Sequence, residues 1–397
     1  MTLPPGPPNF AVASQAASEA LSSRRRVVYL SGSRADFGLM QSTLQQAAAV
    51  VDLSVAVTGM HLDARFGHTV DDIRASGLRL CGEVPVDVHT RSPESMAAAV
   101  GVCLQGVSHL LAAVKPDVLV LLGDRGEMLA GAIAALHLGI VTLHLHGGER
   151  SGTVDEPVRH AVSKLCTYHG VATEGSRERL VHMGENPAHV QVTGAPGLDG
   201  LTALAAMSDE AFRAAVGLPR TKPFGLVLFH PVVQQANDAY VQTVALGHAI
   251  QAVGLPVLWL EPNADAGSLG VLQALDESSL PPGSVRLRHL PRPLFCAAMR
   301  HAAVVLGNSS AGIIEAASFG TPVVNIGQRQ QLRERNRNVV DAVANTFGIS
   351  AALQAALLQG RWPCENVYGD GRAGERIASL LATLSLNTAV LEKANTY

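Results

Sequence analysis

Charge is scarce in this chain. Lys, Arg, Asp and Glu make up 16% of its 397 residues and leave a net charge of −3. There is no basic surplus to neutralise a phosphate backbone, so no nucleic-acid partner is expected. Aromatics are also few, at 4%, and the Ala- and Gly-rich remainder suits helices packed closely on sheets. The five cysteines, Cys81, Cys103, Cys166, Cys296 and Cys364, are scattered with no CxxC pair. That excludes a disulfide framework or a cysteine zinc site and reads as reduced thiols in the cytoplasm. Long apolar runs are missing: stretches such as Met128 to Leu136 fall far short of the roughly 20 residues of a membrane span, so no membrane is expected. In the Pro-, Ala- and Ser-rich start, the basic run Arg24-Arg25-Arg26 follows the weakly apolar part instead of preceding it. It therefore reads as a mobile tail, not a secretory leader. The turn from Gly307 to Gly312 lacks GKT, GKS and GxGxxG, so it is not a P-loop and argues against a nicotinamide dinucleotide, and no cofactor is expected.

What the chain does have is apolar bulk, 47% of residues. At this length two domains are the default. Strand-like runs alternate with helical patterns from Val27 onward: Arg26 to Gly32, Leu53 to Thr58, Asp117 to Leu122, Ile140 to Leu145, Gly170 to Thr173 and Val190 to Thr193 read as strands. After the loop residues Gly194-Ala195-Pro196-Gly197 the rhythm restarts, with strands over Gly225 to Phe229, Pro256 to Leu260, Val285 to Leu287, Ala303 to Gly307 and Thr321 to Ile326. Such alternation predicts parallel, doubly wound sheets. The expected class is α/β, with two Rossmann-like domains facing a cleft. The parts are a tail over 1–25, a first domain over 26–200, a second over 201–372, and a C-terminal helix over 373–397 that crosses back.

Chemistry-bearing residues crowd the 38 residues from Gly123 to His160, which hold five acids, three arginines and four histidines. Strand ends loaded with titratable groups are where open α/β sheets carry function. Asp124 and Arg125 follow a strand; they read either as an acid/base carboxylate with a substrate-contacting arginine or as a helix-capping ion pair. Strand alternation puts His144 and His146 on one face. An HxH pair can bind metal, but no other ligand spacing supports one, so no metal is assigned; His144 reads as a buried, hydrogen-bonded imidazole and His146 as facing the cleft. Asp155 and Arg159, at i and i+4, share a helix face, as a surface salt bridge or as a second carboxylate opposite Asp124. The turn Ser31 to Asp36 offers backbone N–H groups and Arg34 to an anion, or is a helix cap with a structural Arg–Asp pair. In the second half, Gly307-Asn308-Ser309-Ser310 starts a helix carrying Glu315, as a diphosphate cradle with a ribose acceptor or as an ordinary Ser cap. His230 closes a strand and aims an imidazole at the cleft.

As an ordered set, SxSRADFG, TGMHLD, GDR, HGGExSGTxDExxRHAxxKL, FHPV, PNADAGS, GNSSAGIxExxxFGTPVVNIGxRQ and YGDG resemble the UDP-N-acetylglucosamine 2-epimerase family, closest to its hydrolysing branch, from about Val27 to about Leu384. The resemblance implies a glycosyltransferase-B-like fold with UDP held mainly by the second domain. It also implies removal of the sugar C2 proton, loss of UDP from C1 through a 2-acetamidoglucal, and addition of water to give N-acetylmannosamine and UDP. By the same resemblance Asp124 and Asp155 transfer protons and His230 stabilises the leaving diphosphate. Arg34, Arg125, Ser309 and Ser310 contact UDP or the sugar, Glu315 the ribose, and Arg329 the diphosphate or the loop behind it. His61 and Asn263 line the cleft, and Arg159 orients Asp155 or the substrate. Relatives of this kind form homodimers or homotetramers. One departure stands out: this chain reads HLHGGE where hydrolysing relatives read HIEGGE, so His146 replaces a glutamate assigned to catalysis. Gly38 stands where some relatives carry serine. The replacement leaves open a UDP-retaining outcome and a diacetamido sugar as substrate. Other classes weighed are a glycosyltransferase of the same fold and a non-catalytic UDP-sugar binder. The short loop between Glu149 and Asp155 favours hydrolysis.

Overall fold

The computed structural model describes residues 24–88, 92–263 and 265–396. The tail expected over 1–25 lies almost wholly outside them.

Seven parallel strands form the first sheet: β1 (Arg26–Ser31), β2 (Asp52–Thr58), β3 (Leu80–Val84), β4 (Val118–Leu122), β5 (Val141–Leu145), β6 (Tyr168–Val171) and β7 (Val190–Val192). Their spatial order is β3-β2-β1-β4-β5-β6-β7. Six more make the second sheet: β8 (Gly225–Leu228), β9 (Val257–Leu260), β10 (Val285–Leu287), β11 (Val304–Gly307), β12 (Val323–Ile326) and β13 (Val339–Ala342), in the order β10-β9-β8-β11-β12-β13. All described pairings are parallel. Helices cover both faces, and that is why the central strands read as unbroken Val/Leu runs. The chain order reverses between β1 and β4 and again between β8 and β11. Such reversal points open a crevice at the carboxyl ends of the strands, where ligands bind.

The strands over Leu80–Val84 and Val339–Ala342 were not foreseen. Both are sheet edges, half exposed, and mix polar residues into a short run. The helix Pro93–Val114 is, by length and composition, apolar enough to cross a membrane, with a mean hydropathy of 1.7. That corrects the expectation that no stretch reaches such a length; Gly101, Gln105, Gly106, Ser108 and His109 interrupt the apolar run and hide it. In the fold Cys103, Val107 and Leu111 turn this helix inward. The helix Ala373–Thr383 returns to the first domain, and its Ala373, Ile377, Ala378 and Leu381 share a buried core with Phe37, Met40 and Leu44 of the helix Arg34–Ala48.

Candidate active site

After β4, Gly123 takes φ 79°, a left-handed conformation that glycine adopts without a Cβ penalty. The turn delivers Asp124 and Arg125 to the start of the helix Gly126–Leu138. Asp124 is gripped by Arg159, which is fully buried and also donates to the Glu149 carbonyl at 2.9 Å and to Ser151 Oγ at 3.4 Å. The pairing of Asp155 with Arg159 foreseen along the helix is therefore replaced: Arg159 points inward to Asp124, and Asp155 meets Arg329 of the second domain at 3.5 Å. Arg125 lies 3.3 Å from Glu127 and 3.6 Å from Asp265, the latter across the cleft.

These surroundings separate the two acids. Burial opposes ionisation of Asp124, but Arg159, Arg333 and Arg329 outweigh it and hold its carboxyl below the usual range. Burial and the charge of Asp124 together push Asp155 up, against the pull of Arg329. Two carboxyls driven apart in this way are suited to opposite proton-transfer roles.

The second domain contributes the carboxyl ends of β8 and β11. Asn308 accepts from the His230 N–H at 2.8 Å and donates to the His230 carbonyl at 2.8 Å, tying the two strand ends together. Arg329 donates to the Asn308 carbonyl at 3.1 Å. His230 Nδ1 accepts from the Asn263 N–H at 3.3 Å, and the Asn263 amide reaches Asp265 at 2.5 Å. Burial, aided by Arg329, pulls the His230 imidazole down to about 3, so it is neutral at pH 7. Ser309 caps only a five-residue helix, Ser310–Ile314, so the cradle foreseen there depends on hydroxyls and N–H groups more than on a helix dipole. Glu315 is almost wholly buried and bound by Arg292 at 2.5 Å.

Between the domains lies a cavity of about 430 Å³. Asp124, Arg125, Asp155 and Arg329 of the foreseen residues line it, together with Asp265 and Glu127. Much of the remaining wall is apolar, including Met96, Ala99, Val100, Val154, Val158 and Val233, with Asp87 and Ser95 among them. Asn263 and His230 lie behind Asp265. Three foreseen placements change. His61 is buried inside the first domain between Ser31 and Thr69, each at 2.8 Å, and does not line the cavity. Arg34 makes no pair with Asp36, whose oxygens are taken by Tyr29, Ser31 and the N–H groups of Gly32 and Ser33; burial lowers the Arg34 guanidinium to about 10. His146 does not share a face with His144: it takes φ 61° just past β5, which breaks the alternation, while His144 is held by Ser163 at 3.0 Å and the Gly123 carbonyl at 2.8 Å.

Sequence reasoning missed Glu149, Asp265, Asn308 and Arg333. The first three stand inside quoted motifs, HGGE, PNADAGS and GNSS, but no spacing rule marks them out. Arg333 stands in the segment from Gln328 to Asn338, which alternates charged and polar residues and resembles surface loop. In the fold that segment spans the cleft. Arg333 pairs with Glu149, and Thr173 donates to Glu334 at 2.6 Å.

Residues 43–382 match the pattern of the family described as UDP-N-acetylglucosamine 2-epimerase. The chain belongs to that family. Over 375 residues it is 45% identical to a hydrolysing UDP-N,N'-diacetylbacillosamine 2-epimerase of Legionella pneumophila, covering 94% of this chain and 100% of the relative. It is 31% identical to a UDP-N-acetylglucosamine 2-epimerase of Neisseria meningitidis over 366 residues, 90% of this chain and 95% of the other. Among solved structures, the Methanocaldococcus jannaschii UDP-GlcNAc 2-epimerase in complex with UDP-GlcNAc and UDP superposes with a TM-score of 0.73 at 18% identity, covering 89% of this chain and 99% of that one. The 2-epimerases thus share this two-sheet, glycosyltransferase-B-like architecture.

Proposed function

We propose that this 2-epimerase family member hydrolyses a UDP-sugar with inversion at C2, and that its preferred sugar is N,N'-diacetylbacillosamine. The observation that carries the reaction class is the pair Asp124 and Asp155 on one cavity, whose carboxyls their surroundings push in opposite directions. Ionised Asp124 takes the C2 proton. The C2–H electron pair forms the C1=C2 double bond, and the C1–O bond breaks with its pair leaving on UDP. Neutral His230 and Arg329 flank the departing diphosphate. Water then adds at C1, losing one O–H proton to a second acceptor, while Asp155, the carboxyl pushed up, acts as the acid that returns a proton to C2 from the other face. At least two positioned acid/base groups are required because the C2 proton is weakly acidic.

The sugar assignment is supported by the 45% identity to the Legionella enzyme and by the cavity's apolar walls. An acetamido group at C4 and a methyl at C6 suit Met96, Val100, Val154 and Val158 better than two hydroxyls would. Each methylene-sized group in an apolar pocket is worth about 1–3 kcal/mol of discrimination. The expected result is therefore a kcat/KM at least about tenfold higher on UDP-N,N'-diacetylbacillosamine than on UDP-GlcNAc. Equal or higher kcat/KM on UDP-GlcNAc would return the assignment to N-acetylmannosamine production, the reading favoured by the Neisseria relative.

A further inference from the structure

His146 occupies an unusual position. A non-glycine residue at φ 61° is held there by its surroundings. Its Nδ1 lies 2.5 Å from Glu149 Oε1, and only 11% of its side chain is exposed. Glu149 is itself 4% exposed. Its second oxygen is paired with Arg333, which arrives from the other domain, and its backbone carbonyl is held by Arg159 at 2.9 Å. The neighbouring Gly148 carbonyl is held by Arg179. The whole His146-Gly147-Gly148-Glu149 turn is thus fixed by three arginines. Among the described residues, Nε2 of His146 has no hydrogen-bond partner.

The charged groups around the ring do not favour an imidazolium. Burial lowers the imidazole to about 3, with Arg333 and Arg159 adding to it and Asp124 and Glu315 opposing. A neutral ring has one N–H. A carboxylate can only accept, so the proton lies on Nδ1 and the lone pair is on Nε2.

We propose that Glu149 is a positioning residue: held by Arg333, it fixes His146 as the Nδ1–H tautomer and leaves Nε2 as the proton acceptor for the water that adds to the sugar. The chemical role rests on the hydrolytic reading given above. There the C2 proton goes to Asp124, and the second acceptor the reaction needs falls to His146. One water O–H bond breaks, its proton moves to Nε2, and the oxygen bonds to C1. The C1=C2 electron pair moves to C2 and takes up the Asp155 proton. The imidazolium formed is matched by the Glu149 carboxylate, as in other carboxylate–histidine pairs. A glutamate would need no such support at this position; a histidine does.

The test begins on the ligand-free protein, so it does not depend on which sugar is turned over. Long-range ¹H–¹⁵N spectra of histidine-labelled protein, with His146 assigned by its loss in His146→Asn, are expected to show Nδ1 protonated and Nε2 unprotonated. In Glu149→Gln, Arg333 retains the amide oxygen and the NH₂ turns to Nδ1. The tautomer is then expected to flip, and kcat to fall about 10²- to 10⁴-fold with KM and UDP affinity little changed. A native spectrum with the proton on Nε2 would overturn the proposal. So would a folded Glu149→Gln protein that keeps both the tautomer and wild-type kcat. If the tautomer flips in Glu149→Gln and kcat holds, the acceptor role of His146 is overturned.

Discussion

Asp124 and Asp155 are chemically identical side chains on one cavity, and only their neighbours distinguish them. The folded-state carboxyl of Asp124 lies below its unfolded value. Its contribution to stability is therefore present above the unfolded pKa and is lost as pH falls through the folded one. Asp155 is raised, so its contribution is present below the unfolded pKa and is lost as pH rises through the folded one. Asp124→Asn leaves the buried Arg159 without its charge partner and is expected to lower stability at pH 7 by about 3–5 kcal/mol. Asp155→Asn is expected to leave stability unchanged or slightly raised, and chemical denaturation of the two variants checks the contrast. Both substitutions should lower turnover at least about a hundredfold with UDP affinity kept; single-turnover rates beside UDP titrations measure this. The pH profile should be a bell. Activity falls at low pH as Asp124 protonates and at high pH as Asp155 ionises. In Arg329→Met the descending limb should move to higher pH, because Arg329 is the main charge opposing the rise of Asp155. Residue types and motif order pointed to both carboxyls, which the fold brings to one cavity, but not to which is pushed down and which up. That depends on Arg159 turning inward and on Arg329 and Arg333 arriving from residues far along the chain.

Elements place these residues by where strands end. Asp124 follows β4, and His230 and Asn308 follow β8 and β11, all beside a reversal of strand order. The strand that ends at Gly307 shows how tight this junction is. Gly307 has φ 135°, and a Cβ there would lie 2.1 Å from the Leu228 carbonyl oxygen. Gly307→Ala is expected to cost at least about 2 kcal/mol and to weaken UDP binding, as thermal melts with and without UDP can check. Strand and helix alternation was legible because central strands are buried on both faces and read as continuous apolar runs. Of the four edge strands, β3 and β13 were not legible, since partial exposure lets polar residues into a short run. The His144/His146 pattern misled for a related reason: alternation holds only while the strand continues, and β5 stops at Leu145.

At the scale of the whole molecule, the two sheets are joined by charged contacts across the cleft and by the C-terminal return. Arg329 with Asp155, Arg333 with Glu149, and Asp265 with Arg125 all span the domains. Beyond the returning helix, Lys393 reaches buried Glu185 at 2.5 Å and the Cys166 carbonyl at 2.6 Å, next to the helix that carries Asp155 and Arg159. The two-sheet plan was readable from the repeated alternation and its interruption after Val192. The cross-cleft pairs were not, because they join residues more than a hundred positions apart. The central claim is hydrolysis with inversion at C2, and one incubation tests it most directly. The protein is held in D₂O with UDP-N,N'-diacetylbacillosamine and followed by ¹H and ³¹P NMR. Free UDP appearing together with the C2-inverted sugar, carrying deuterium at C2, is the expected result. A C2-inverted product with its diphosphate still attached, or UDP released with protium retained at C2, would contradict it.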